Sequence, residues 1–383
     1  MSTKSLIFGD KVLIVIILLL SLFSFFPVFS SSSYLSYVVD GSSPIYYLVK
    51  HLIVLLFGFI LMLSVKLVPF KLFKGMSIIL LPIGLALLAY TLSQGTMIGG
   101  SAASRWIDIP FVGISFQTSS FAAIIIITYT ARYLSKVNLS ETKFSQTLLP
   151  LWLPIFAYIF LILPANFSSA FLIFTALFVV FIISGFPFRH LFKMFLILTF
   201  LLIIFFLTAK AFPEKLPNRI DTWISRVENF GSNKNSDASY QIERAKIAIN
   251  NGGLIGIGAG KSIMKNHLPQ SNSDFIFAII VEEYGIIGGS LIIVLYILMF
   301  FRILVITHRT DDRFGKILVS GLGVFIIIQA FTNISVATQI IPVTGQNLPL
   351  ISSGGSSAWM TCISLGMILS VSSSIKNMNS EKE

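Results

Sequence analysis

The sequence predicts an all-α polytopic membrane protein of about ten transmembrane helices, with one large extracellular loop between the seventh and the eighth. Three observations carry that prediction. The 383 residues are 55% hydrophobic and 11% charged, with a mean hydropathy of +0.88, whereas a soluble domain carries about 25% charged residues. The apolar runs reach the ~20 residues a helix needs to cross the hydrocarbon. The runs are also continuously apolar, where the strands of a membrane β-barrel would alternate.

In order, the spans fall at 11–31, 45–65, 75–94, 117–134, 147–163, 168–185, 191–212, 275–306, 315–337 and 356–375. The first is too long for a signal peptide, and the SSSSYLSYVVD that follows offers no clear small-x-small cleavage site, so it reads as a retained span. Basic residues gather at alternate ends. Lys4 and Lys11 precede the first span, and Lys66, Lys71 and Lys74 follow the second. Arg132, Lys136 and Lys143 follow the fourth, and Arg189 and Lys193 the sixth. Arg302, Arg309, Arg313 and Lys316 lie between the eighth and ninth, and Lys376 and Lys382 follow the tenth. This is the positive-inside pattern, which puts both termini in the cytoplasm and residues 213–274 outside. It also accounts for the net charge of +11 without nucleic acid as a partner.

The chain reads as a single membrane domain over 1–383. Polar residues concentrate in the 213–274 loop, where Pro213, Pro217, Gly231 and the GSNKNSDAS stretch mark turns. Within it, YQIERAKIAINN (240–251) has helical spacing and predicts a short amphipathic helix that could rest on the membrane surface. The uncharged, Gly-, Pro- and Ser-rich segment 338–356 reads as a re-entrant cap on the outer side, because such backbone is tolerated at membrane depth only inside protein or beside a cavity. No internal repeat is evident. The single cysteine, Cys362, permits no intramolecular disulfide and supports neither a thiol mechanism nor a cysteine metal site.

Among the polar residues, Asp274 stands out, since it sits where the long loop enters the eighth span. A carboxylate there is costly and is either functional or a helix cap. Glu282 and Glu283 lie two turns deeper, where pairing with a buried donor or a helix break is the more natural reading than chemistry. GIGAGKS (256–262) resembles a phosphate loop but has Ile255 where the pattern needs glycine, so it reads as a glycine-rich loop whose backbone could approach a ligand closely. Arg105 beside Trp106 is an anion-binding candidate next to an interfacial anchor. Arg219, Arg226, Arg244, Lys246, Lys261, Lys265 and His267 make the long loop cationic. That is the usual look of solvated surface, yet several such charges near one carboxylate could neutralise a pyrophosphate. The four histidines are too scattered for a metal cluster.

Several longer motifs follow one another in a specific order: SRWI with a following Q-x-S, YQxxxAxxAINNGGLIGIGAGKS, LPxxxSDFIFAIIVEEYG and NISVATQIIPVTGQNLPLISSGGSS. In this the chain resembles the SEDS family of FtsW/RodA-type peptidoglycan glycosyltransferases over nearly its whole length, with TWISRVENF and TSS leaning toward the division-type FtsW branch. The resemblance implies polymerisation of lipid II into glycan strands at the outer face of the cytoplasmic membrane. It puts the family's essential aspartate on Asp274, with Asn272 and Ser273 in place of the usual His and Thr. It further implies a pyrophosphate and sugar site drawing on Arg105, Arg219, Arg226, Lys261, Gln241, Ser352 and Ser356, and leaves room for a divalent cation, Mg2+ or Mn2+. A single-pass class B penicillin-binding transpeptidase and other division proteins are the implied partners. Two departures stand out: Ser120 and Ala123 replace an acid–base pair, and Asn166 replaces an aspartate, so an intramembrane ion pair of the family is missing or relocated.

Residues and resemblance together describe an inverting transfer. A sugar hydroxyl, deprotonated by Asp274, attacks the anomeric carbon while a lipid pyrophosphate departs against cations. No second well-placed carboxylate is present for a covalent intermediate. Two other classes remain open in the sequence: a lipid-linked precursor flippase, which would want charged residues along several spans, and a non-catalytic scaffold of the wall-synthesis complex.

Overall fold

The computed structural model describes residues 9–34, 43–94, 106–109, 114–138, 141–211, 237–268 and 271–380. A helix stands at each of the stretches read as spans. They are α1 (Lys11–Tyr34), α2 (Pro44–Leu67), α3 (Phe70–Gln94), α4 (Thr118–Lys136), α5 (Phe144–Ile162), α6 (Phe167–Ile183), α7 (Phe188–Ala211), α9 (Ile276–Arg309), α10 (Arg313–Ala337) and α11 (Ser356–Ser380). The amphipathic α8 (Asp237–Gly252) lies between α7 and α9. By length and composition α1–α3, α5 and α9–α11 qualify as membrane crossings, 7 in all among the described residues, and α6 is a shorter apolar helix. This is a multi-pass helical membrane protein. A two-stranded antiparallel hairpin, β1 (Trp106–Ile109) and β2 (Ile114–Gln117), precedes α4 and pairs Trp106 with Gln117; the sequence reading had no strands.

Local chemistry sets the helix ends. Ser43 accepts from the Ile45 amide at 3.2 Å ahead of Pro44 at the first turn of α2. Asp312 accepts from the Gly315 amide at 2.8 Å to start α10, and Asn166 accepts from the Ser169 amide at 3.3 Å to start α6. Leu148–Trp152 in α5 form a π-helical turn around Pro150, whose missing N–H disturbs the ordinary ladder.

α10 is the hub, packed against α4, α6, α9 and α11. Of its apolar window 78% is buried, against 28% for α2 and 22% for α3, whose apolar side chains are mostly left uncovered by the rest of the protein. At the end where the basic residues gather, Arg302 of α9 grips Asp10 with two bonds of 2.7 and 2.5 Å, closing the start of α1 on the end of α9. The apolar face of α8 finds a partner within the protein. Ala245 and Ala248 are fully buried, and the helix packs on α9.

α9 is broken at Gly285, which holds φ 69° and ψ −172°. The break is closed by the loop after α8. Its amides Ile257 and Gly258 each donate at 3.0 Å to the carbonyls of Glu282 and Glu283, while the Ile286 and Ile287 amides donate to the carbonyls of Gly253 and Leu254 at 2.9 and 3.3 Å. A helix interrupted at membrane depth needs such substitutes for its lost bonds. The two strands of backbone touch so closely that a Cβ on Gly285 would lie 2.2 Å from the Leu254 carbonyl oxygen, and one on Gly256 2.2 Å from that of Glu283. Gly285→Ala is therefore expected to lower the thermal midpoint in detergent by a loss of about 3 kcal/mol, combining left-handed strain with the clash. An unchanged midpoint would show that the two backbones can separate freely.

Candidate functional site

The site is built outward from the break in α9. Glu282 and Glu283 are 0% and 1% exposed, and such carboxylates need donors. The loop supplies them. Glu282 accepts from the Ser262 hydroxyl, from the Ile263 and Met264 amides at 3.3 Å each, and from Asn251 Nδ2 at 3.5 Å. Glu283 accepts from the hydroxyl of Ser30 on α1 and from the Ser262 amide at 3.3 Å. Lys265 stands beside them, its Nζ donating to the Gly260 carbonyl at 2.7 Å and to Ser30 Oγ at 3.3 Å. Consecutive amides at 262–264 thus form an anion cradle, and the anions in it are the chain's own carboxylates. The likeness of GIGAGKS to a phosphate loop has a physical basis, but what its first glycine, Gly256, admits closely is the α9 backbone. The pairing of both glutamates with a donor loop and a helix break agrees with the sequence reading.

From this cradle the chain passes directly to Asp274, which is half-buried. The cap position of α9 falls one residue later, on Phe275. The Asp274 backbone is pinned from two sides. Asn333 of α10, fully buried, donates through Nδ2 to the Asp274 carbonyl at 2.9 Å and to the Gln346 carbonyl at 2.7 Å. Ser352 donates to the Ser273 carbonyl at 2.7 Å and accepts from the Leu348 amide at 2.8 Å, and the Ser353 amide donates to Asn272 O at 2.9 Å. Segments 272–274 and 346–353 are therefore held together, with Phe275 and Ile276 buried beneath.

The expected ligand-contacting residues fare differently. Lys261 is exposed on the glycine loop and Gln241 is half-buried on the first turns of α8. Arg105, Arg219 and Arg226 lie outside the described residues. Ser352 and Ser356, expected to touch substrate, are 3% and 0% exposed, and their hydroxyls bond to nearby backbone. Ser356 accepts from the Gln117 amide and donates to the Ser115 carbonyl, both at 2.9 Å, fastening β2 to the start of α11. Among the described residues no three His, Cys, Asp or Glu side chains gather to hold the divalent cation for which the resemblance leaves room.

At the positions where an ion pair is replaced, the structure is neutral. Ser120 donates to Gln117 Oε1 at 2.8 Å, and Ala123 is fully buried. Asn166, 3% exposed, has no partner for Nδ2 and lines a small cavity with Thr91, Thr118, Ser119 and the apolar Leu88 and Leu161. Sequence reasoning passed over Asn333, Gln346 and Ser169. A signal was available for Asn333, because a buried amide within an apolar span must find partners.

Known proteins resemble the chain over nearly its whole length. A family model described as cell cycle protein, covering FtsW, RodA and SpoVE, matches residues 10–377. The "Probable peptidoglycan glycosyltransferase FtsW" of Halomonas elongata is 30% identical over 369 residues, covering 95% of this chain and 90% of its own. Stage V sporulation protein E of Bacillus subtilis is 29% identical over 366 residues, covering 95% and 96%. In structure, a chain of a peptidoglycan synthase complex superposes with a TM-score of 0.73 at 22% identity, covering 96% of this chain and 98% of its own. The rod shape determining protein RodA of Thermus thermophilus gives 0.67 at 21% identity, covering 95% and 96%.

Proposed function

Because the chain belongs to the FtsW/RodA/SpoVE family, matched over residues 10–377, we infer that it is a peptidoglycan glycosyltransferase that polymerises lipid II into glycan strands. The observation that carries the reading to residues is the fixing of Asp274 between α9, α10 and the 346–353 segment, at the point where loop gives way to membrane helix.

In this reading the Asp274 carboxylate takes the proton from the attacking sugar hydroxyl, the anomeric carbon inverts, and the lipid pyrophosphate departs. Arg105, Arg219, Arg226 and Lys261, with Gln241, supply the positive charge and hydrogen bonds that receive it. The prenyl tails stay in the bilayer beside the spans. We read all ten apolar helices as crossings of the bacterial cytoplasmic membrane, as a single domain with both termini cytoplasmic and the 213–274 loop outside. Segment 338–356 is then a re-entrant cap over the reaction. The spacing of basic residues supports that orientation. Likeness to a chain of a peptidoglycan synthase complex supports a transpeptidase partner, and the FtsW names among the relatives support septal synthesis in cell division.

The test is polymerisation of labelled lipid II by the purified protein with its transpeptidase, beside a vesicle assay for lipid II movement. Glycan ladders from wild type establish the polymerase. Movement of lipid II across the bilayer with no ladders would assign the chain to transport.

A further inference from the structure

We propose that Gln346 and Asn333 are positioning residues for Asp274, forming the end of a neutral hydrogen-bonded relay that runs from the cavity at Asn166 to the Asp274 backbone. The relay crosses three elements. Asn166 Oδ1 accepts from the Ser169 amide at 3.3 Å, and Ser169 Oγ, on the first turn of α6, accepts from Gln346 Nε2 at 3.0 Å. The Gln346 carbonyl then accepts from Asn333 Nδ2 at 2.7 Å, and the same nitrogen reaches the Asp274 carbonyl at 2.9 Å. All four side chains are nearly or fully buried, with Asn166, Ser169, Gln346 and Asn333 at 3%, 7%, 7% and 0% exposure.

The consequence follows from how each amide is used. Both hydrogens of Asn333 Nδ2 go to main-chain carbonyls, so its fork fixes the distance between the Asp274 turn and the 346 turn. The 346 turn has no regular secondary structure of its own, and the Gln346 side chain anchors it to α6. Removing that anchor leaves the fork intact but frees the platform it stands on. A reacting carboxylate tolerates little displacement, since misplacement by about 1 Å can cost about 100-fold in rate. No charged side chain takes part in this relay, so the position of Asp274 is set by directional neutral bonds in the same region where Ser120, Ala123 and Asn166 stand in place of charged residues.

The proposal rests on Asp274 being the base, and the experiment separates the two claims. Initial rates of lipid II polymerisation are measured for the full chain with its transpeptidase, as wild type, Gln346→Met, Ser169→Ala, the double variant and Asp274→Asn, with thermal midpoints for each. Methionine matches glutamine in length and cannot donate. The expected result for Gln346→Met is a kcat lower by about tenfold to 100-fold with KM within about twofold, at a midpoint close to wild type. Ser169→Ala should shift kcat in the same direction, and the double variant should be no worse than the weaker single, as for partners in one bond. Wild-type kcat in Gln346→Met and Ser169→Ala, with Asp274→Asn inactive, overturns the positioning claim and leaves the base in place. Loss of kcat that merely follows a lowered midpoint assigns Gln346 to stability and also overturns it. An active Asp274→Asn removes both claims together.

Discussion

Asp274→Asn is expected to reduce lipid II polymerisation by about 100- to 10,000-fold, the range that general base catalysis supplies, while leaving the protein folded. Asparagine keeps the size of the side chain and its capacity to accept a hydrogen bond, but it takes no proton at neutral pH. Two hydrogen bonds hold this turn through main-chain atoms: Asn333 to the Asp274 carbonyl and Ser352 to the Ser273 carbonyl. Neither of these two bonds uses the carboxylate, so both remain in Asp274→Ala, which should lose the rate as Asp274→Asn does. Substrate binding should survive in both, which saturation by lipid II at an unchanged KM would show. A variant that polymerises at the wild-type rate would take Asp274 out of the chemistry.

The second large effect concerns stability. Glu282→Ala is expected to cost several kcal/mol, enough to deplete folded protein in detergent. It removes the acceptor for the Ser262 hydroxyl, the Ile263 and Met264 amides and Asn251 Nδ2 at once. Each buried donor left unpaired costs about 1–3 kcal/mol, against a total stability of about 5–15 kcal/mol for a typical domain. Glu282→Gln should be much milder, because the amide oxygen still accepts from the backbone. Thermal unfolding followed by size-exclusion chromatography distinguishes the two. Equal midpoints for Glu282→Ala and wild type would mean that the glycine loop is held by its backbone bonds at 253–258 alone.

The positions of the membrane helices were legible along the chain because hydropathy is a local sum. Residues 45–65 and 315–337 were read from apolar length, and helices stand at Pro44–Leu67 and Arg313–Ala337. Fine boundaries moved by a few residues where caps such as Ser43 and Asp312 act. The amphipathic segment 240–251 was legible as a helix, but what covers its apolar face was not, since a moment says that a face is buried and nothing about the partner. The element packed against it is α9.

The site divides along the same line. Asp274, Glu282 and Glu283 were marked in the sequence by the cost of a carboxylate near apolar helix, and the glycines of 256–260 by the close approach they permit. Which groups answer them was decided in three dimensions. Asn333 meets Asp274 across 59 residues, Gln346 meets Ser169 across 177, and Ser30 meets Glu283 across 253. The backbone partners of Ser352 and Ser356 were hidden for the same reason, since a serine in a Gly–Ser turn is equally suited to a ligand or to a neighbouring carbonyl. Sequence alone determined the membrane class, the helices and the charged candidates, because burial of apolar length and the cost of buried charge are properties of the residues themselves. Only the tertiary structure decided the partners, because a hydrogen bond acts over about 3 Å and pairs whatever groups the packing of α1, α6, α9 and α10 brings together.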